Sequence, residues 1–145
     1  MVAGRGARVT TSRVIMASQV VELDGVAEFD SYIRGYHAYK GIWSPVLGEV
    51  LLLKREPDNV VDPCAVAVWK EDKIVGHVTY NIASVISQFL RRDCNKGFVQ
   101  VTGNTVNRGA GYGLEVPCTY RLYGPTPFIE RITQIVQSLQ ERGLL

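Results

Sequence analysis

The chain has 145 residues, 46% of them apolar and 21% charged, with a formal net charge of +2. That length fits one domain able to bury a core without disulfides or structural metals, and the composition excludes wholesale disorder. A net charge so close to zero does not by itself argue for a polyanionic partner.

Met1 to Arg13 holds Arg5, Arg8 and Arg13, no acid, and no apolar core of the secretory-signal kind. It reads as a weakly basic tail, with an organelle transit segment left open. Val14 to Leu23 is apolar enough for a strand or a short helix. The signals sharpen at Phe29, where Phe29, Ser31, Ile33 and Gly35 alternate with Asp30, Tyr32, Arg34 and Tyr36, the period of a strand. Gly41 to Gly48, with Ser44-Pro45, is a loop. Glu49 to Arg55 is a Leu/Val-rich strand, broken by Pro57-Asp58-Asn59.

Cys64 to Trp69 is a short apolar run suited to a buried strand, Lys70 to Lys73 a turn, and Ile74 to Val78 the return strand of a hairpin. The period then changes. Ile82, Val85, Ile86, Phe89 and Leu90 line one face of a helix, with Asn81 as N-cap and Arg91 and Arg92 in the last turn. Two more strands follow, Phe98 to Val106 and Leu114 to Tyr123, joined by the glycine-rich segment Asn107 to Gly113. A last helix runs from Pro127 to Arg142, with Thr126 as N-cap and Gly143 as C-terminal stop. Its apolar side, Phe128, Ile129, Ile132, Ile135, Val136 and Leu139, caps the sheet by default. The expected fold is mainly β with α: a small OB-like barrel with one inserted helix and a C-terminal helix. The expected division is 1–27 as tail, 28–124 as barrel and 125–145 as packing helix.

Enzyme chemistry finds little footing. Gly109 to Gly113 is G-x-G-x-G between two strands, without the helix whose N-terminus holds a pyrophosphate. No phosphate-binding G-x-x-x-x-G-K-[ST] and no G-x-S-x-G elbow occurs. Cys64, Cys94 and Cys118 form no C-x-x-C, and with His37 and His77 they give no paired zinc spacing. No metal and no cofactor is expected. Cys64 and Cys118 read as buried, inert thiols, and the odd cysteine count fits an intracellular, reducing compartment. No apolar run approaches the ~18 residues of a spanning helix, so no membrane partner is expected. From Val85 to Pro125, Arg91, Arg92, Lys96, Arg108 and Arg121 face only Asp93 and Glu115, a locally basic stretch.

The most informative stretch is Arg55-Glu56-Pro57-Asp58-Asn59-Val60-Val61-Asp62, followed by Ala65-Val66-Ala67-Val68, then Val75-Gly76-His77-Val78 and the helix. This order resembles the HIRAN domain family, whose pattern is R-[DE]-P-x-N-x-x-D, an A-[IV]-x-V strand and a V-G-H strand leading into a helix. The resemblance covers Tyr32 to Gly124, roughly two thirds of the chain. It implies a modified OB barrel that binds single-stranded DNA and captures a free 3′ hydroxyl end, usually attached to helicase-type motors and repair proteins. Nuclear localisation would follow in a eukaryote. By that resemblance, Asp62 accepts the hydrogen bond of the terminal hydroxyl and Asn59 lies beside it. Tyr36, His37 and Tyr39 supply base contacts. Lys54, Arg55 and His77 are the nearby candidates for phosphate, and Tyr80, outside the family pattern, is the candidate to replace the stacking face that Val61 does not supply.

A carboxylate accepts from a hydroxyl and repels a phosphate, so the chemistry of Asp62 suits a free end. The chain departs from the family pattern at Val61, where an aromatic often stands, at His37, in place of a stronger cation, and at Thr79-Tyr80, in place of a basic or Pro-containing turn. The expected function is thus a non-catalytic binder of single-stranded DNA or RNA ends, with a helicase or repair protein as a further partner. The alternative is a β-barrel protein–protein interaction module that docks through its last helix. Asn59 and Asp62 also fit a purely loop-holding role through side chain–backbone bonds.

Overall fold

The computed structural model describes residues 8–10, 14–16, 19–21, 25–109, 111 and 113–145, with side chains from residue 25 on. The strands are β1 (Arg8–Thr10), β2 (Val14–Met16), β3 (Gln19–Val21), β4 (Gly25–Arg34), β5 (Val50–Arg55), β6 (Val66–Lys70), β7 (Lys73–Val78), β8 (Lys96–Val101), β9 (Val106–Asn107) and β10 (Leu114–Gly124). The helices are α1 (Tyr80–Leu90) and α2 (Thr126–Glu141), and a single 3-10 turn spans Tyr36–Ala38. Apart from β1, the segment read as a basic tail lies outside the described residues. The stretch from Val14 resolves into two strands that pair with each other; Leu23, and Ala110 and Tyr112 of the glycine-rich segment, lie outside the described residues.

Among the described residues, eight strands form one antiparallel sheet in the order β1-β4-β7-β6-β5-β8-β10-β9, and β4 also pairs β10. That last pairing closes β4, β7, β6, β5, β8 and β10 into a six-stranded barrel. The OB-like barrel read from the strand count is what forms. Alternation decides which side chains fill it. Phe29 and Ile33 of β4, Leu51 and Leu53 of β5, Val99 and Val101 of β8, and Val116, Cys118, Tyr120 and Leu122 of β10 are all buried. Each fully buried aliphatic or Phe side chain contributes roughly 1.5–3 kcal/mol of transfer free energy.

The β4–β10 seam runs from Val116↔Ile33 to Gly124↔Gly25. Inside it, Tyr120 donates its hydroxyl to the Tyr32 carbonyl at 2.6 Å, and its ring lies 5.4 Å from Phe29. At the opposite edge β4 meets β7 only through Ile33↔Val78 and Arg34↔His77. Gly76 permits this close crossing: a Cβ there would lie 2.5 Å from Ile33 Cγ2.

Trp43, from the loop after the 3-10 turn, is buried as well. Its indole N–H donates to Glu49 Oε1 at 2.8 Å, and Lys70 pairs with Oε2 at 3.0 Å. Burial works against the Glu49 carboxylate, but the Val46 amide, Lys70 and Trp43 outweigh it and hold its pKa below the ordinary value.

Helix α1 packs on β5 and β6, and α2 on β4, β1, β10 and α1. The apolar side of α2 buries Ile129, Ile132 and Val136 within the chain, so capping, not outward presentation, is its role. Gly143 (φ 69°) ends it in a Schellman arrangement: Leu144 N–H donates to Leu139 O and Gly143 N–H to Gln140 O.

Several local readings need correction. Thr79, not Asn81, occupies the α1 N-cap, and Asn81 Nδ2 instead donates to Leu144 O at 2.8 Å. Pro125, not Thr126, occupies the α2 N-cap. Arg91 is the α1 C-cap, and Arg92 sits past the helix with its guanidinium 4.3 Å over the Phe128 ring. It joins the helices by a cation–π contact instead of answering the α1 dipole. The strand begun at Phe98 ends at Val101 and resumes only as β9: Thr102 N–H still donates to Pro117 O, but Pro117 has no N–H to return the bond. Cys64 is exposed, not buried: its amide serves the preceding loop, and β6 starts two residues later.

Candidate nucleic-acid interface

The loop between β5 and β6 is closed by Glu56 N–H donating to Ala65 O at 2.9 Å. Within it, Asn59 Oδ1 accepts from the amides of Val61 and Asp62, both at 3.0 Å. Asp62 Oδ1 accepts from Cys64 N–H at 3.0 Å. The short polar side chains thus replace the missing ladder bonds and fix the loop, as Asx turns do. The fixed geometry leaves Val60 96% and Val61 90% exposed at the tip. One carboxylate oxygen of Asp62 is therefore structural. The other, Oδ2, has no hydrogen-bond partner among the described residues, and the side chain is half-buried.

The β4–β7 crossing brings a second group together. Arg34 and His77 are direct cross-strand partners, so their side chains share a face. His77 Nε2 and Glu56 Oε1 are 2.6 Å apart; with the carboxylate as acceptor, Nε2 carries the proton. That contact ties the strand histidine to the base of the Asn59–Asp62 loop. The Tyr39 ring lies 6.2 Å from His77. Burial, reinforced by the Glu56 carboxylate and opposed by Arg34, raises the Tyr39 phenol above its ordinary pKa, which keeps it a neutral donor. Arg34 donates through Nε to Val78 O at 2.9 Å, and its guanidinium lies 5.7 Å from the centroid of the exposed Tyr80 ring. Arg34 and Tyr80 also line a cavity of about 350 Å³ with Thr79, Arg108 and the 143–145 turn.

The residues singled out in the sequence are thus partly assembled. Tyr39, His77 and Tyr80 gather around Arg34 and Glu56, with Asn59 and Asp62 on the adjoining loop. Lys54 lies in the same cross-strand row, through Lys54↔Ala67 and Ala67↔His77, and its Nζ sits 4.8 Å over the Trp69 ring. Tyr36 packs edge-on against Trp43, at 5.7 Å, and belongs to the core boundary. His37 is exposed against the glycine-rich segment, where a Cβ on Gly113 would lie 3.2 Å from its Nδ1. Arg55 points to the other side, with Nε 3.3 Å from Ser87 Oγ of α1. A cavity of about 390 Å³ there is lined by Arg55, Pro57, Pro63, Cys64 and Arg91, not by Asp62.

Sequence reading missed Arg34. Its signal was available: a cation on the outward phase of a strand, at the end that leads into Gly35-Tyr36. It also placed Glu56 only within the motif run and gave it no role, because a contact to His77, 21 residues on, is not local.

Two solved structures are similar to this chain. The HIRAN domain of human HLTF matches with a TM-score of 0.58 and 18% identity over 77% of this chain and 87% of that one. A protein from Lactobacillus plantarum matches with a TM-score of 0.46 and 17% identity over 81% of this chain and 99% of that one. No family model and no curated protein matches. The chain has a HIRAN-like fold.

Proposed function

We propose that this chain is a non-catalytic module that binds single-stranded nucleic acid, with a preference for a free 3′ hydroxyl, and that 28–124 is its binding barrel. The observation that carries the reading is the Asn59–Asp62 loop. Its backbone is locked by its own side chains, and it retains a carboxylate oxygen with no partner among the described residues, beside two exposed apolar residues. A hydroxyl can donate to that oxygen; a phosphate at the same place would meet like charge. Arg34, Tyr39, His77 and Tyr80 supply the cationic and π-faced surroundings that strand binders use. The HIRAN-like fold supports the same reading, and a helicase or repair protein is the corresponding partner class.

The test is fluorescence anisotropy with short labelled strands ending in 3′ hydroxyl or 3′ phosphate, at several salt concentrations. The hydroxyl end should bind roughly 10- to 150-fold tighter, since a hydrogen bond to a charged group is worth roughly 1.5–3 kcal/mol. Asp62→Asn keeps an acceptor for the Cys64 amide while removing the charge, and it should erase that preference with the fold intact. Equal binding of both ends by the unsubstituted protein overturns end capture. Absence of binding to every strand at low salt would favour a protein partner instead.

A further inference from the structure

The outer face of the barrel carries a second arrangement, next to the loop but not part of it. Trp69 on β6, Leu52 on β5 and Phe98 on β8 are successive direct cross-strand partners. Their neighbours Leu51, Leu53, Val68 and Val99 point into the core, so this row points out. It is a half-buried ring, an aliphatic and a second half-buried ring, with a groove of about 470 Å³ above it.

One step along the strands runs the row Arg34, His77, Ala67, Lys54. Lys96, two residues before Phe98 on β8, lies on the same face and is exposed. Its partner across the ladder is Tyr123, whose ring meets Phe98 edge-on at 6.0 Å. Arg34, Lys54 and Lys96 therefore put positive charge beside the row of rings, and the near end is Arg34 with His77, which is bonded to Glu56. The opposite rim of the groove carries Glu49, Lys70 and Glu71; the first two pair at 3.0 Å, so Glu71 alone leaves that rim net acidic.

We propose that this face is a stacking track for single-stranded nucleic acid, extending from the loop across β7, β6, β5 and β8. Bases lie over Trp69 and Phe98, and the backbone follows Lys54 and Lys96. Stacking on rings tolerates any base, because every base has a π-face, while lysines hold phosphates without reading sequence. The acidic rim repels phosphate, so it sets which side of the ring row the backbone takes. Lys54 Nζ over Trp69 is an exposed cation–π contact, and a phosphate arriving beside it draws the ammonium off the ring and uncovers a stacking face. From β7 to β8 is three strand spacings, about 14 Å. That adds a few nucleotides to the end site, within the about 4–16 that a barrel of this class covers. The proposal takes its starting point from the end-binding reading, but its chemistry is independent of it.

The experiment compares labelled 3-nucleotide and 10-nucleotide strands with 3′ hydroxyl ends, and a 3′-phosphorylated 10-mer, on the full chain over a salt series. The variants are Lys96→Glu, on an exposed side chain, and Phe98→Leu, which keeps an apolar side chain and removes the ring. The 10-mer should bind at least about 10-fold tighter than the 3-mer, with a log–log salt slope steeper by about 0.7 for each added phosphate contact. Each variant should weaken the 10-mer about 5-fold or more and leave the 3-mer unchanged. Equal affinity for both lengths, or a 10-mer indifferent to both variants, overturns the track even if the hydroxyl preference stands. A phosphorylated 10-mer that keeps the length advantage and the sensitivity to both variants preserves the track while end capture falls. A 10-mer that does not bind at low salt overturns both.

Discussion

Val61→Tyr offers a gain-of-function test of the loop as a binding element. Val61 is 90% exposed, and its amide is held by Asn59, so a larger side chain displaces no neighbour and inherits a fixed direction. An exposed substitution of this kind changes stability by no more than about 0.5 kcal/mol. A ring at the tip can stack one base, worth roughly 1–3 kcal/mol. Ordering the new side chain costs about 0.5–1.5 kcal/mol. Taking the small gain with the small cost and the large with the large, the net is about 0.5–1.5 kcal/mol, or a gain of roughly 2- to 12-fold in affinity. Fluorescence anisotropy with a short 3′-hydroxyl strand reads it directly, and Asp62→Asn in the same background shows whether the gain needs the end site. An unchanged affinity, with an unchanged melting temperature, would refute the idea that bases approach the loop tip.

Three further outcomes follow from the packing. Gly76→Ala should cost about 1–3 kcal/mol in chemical denaturation, because the new methyl meets Ile33 Cγ2 at 2.5 Å and Ile33 is fully buried and β-branched; an unchanged midpoint would mean the β4–β7 crossing is looser than described. Arg108 donates to both oxygens of Glu115, at 2.8 and 3.0 Å, and Glu115 is 1% exposed. Arg108→Met should therefore cost about 2–3 kcal/mol, below the ~3–5 of a fully buried pair because Arg108 is partly exposed, and Glu115→Gln should recover much of it in the double variant. Alkaline pH should also unfold the chain. Burial raises the pKa of the Cys118 thiol and the Tyr120 phenol well above their ordinary 9.0 and 10.0. Both are neutral in the fold, so their contribution is complete below those values and is lost as pH climbs above about 9. Cys118→Val should flatten the start of that decline in urea titrations at pH 8 to 11; an identical slope would assign the loss elsewhere.

What could be read in the sequence was whatever repeats within a few residues. The inward phase of β10 and the i, i+3, i+4 spacing of α1 are local consequences of burial, and those elements stand close to where the pattern put them, whereas β4 starts at Gly25, four residues before Phe29, and gives up Gly35 and Tyr36 to the 3-10 turn. Element ends were harder, because caps are decided by what lies near in space. Asn81 has the chemistry of an N-cap, yet its amide goes to Leu144, 63 residues away. Cys64 has an apolar run behind it, yet its amide is taken by Asp62, and so it belongs to the loop.

The same distinction governs the site. The Asn59–Asp62 loop is legible because its bonds span two or three residues, so the motif and the geometry are one object. Arg34 and His77 are 43 positions apart, and only the register of two strands makes them neighbours. Trp69 and Phe98 are further still from any local pattern: each is an ordinary outward strand residue until Leu52 is found between them. A one-residue slip of β5 would send Leu52 and Lys54 into the core and bring Leu51 and Leu53 out between the rings. The burial of Leu51 and Leu53 excludes that slip, so the packing that stabilises the barrel is also what sets the order of rings and cations on its outer face.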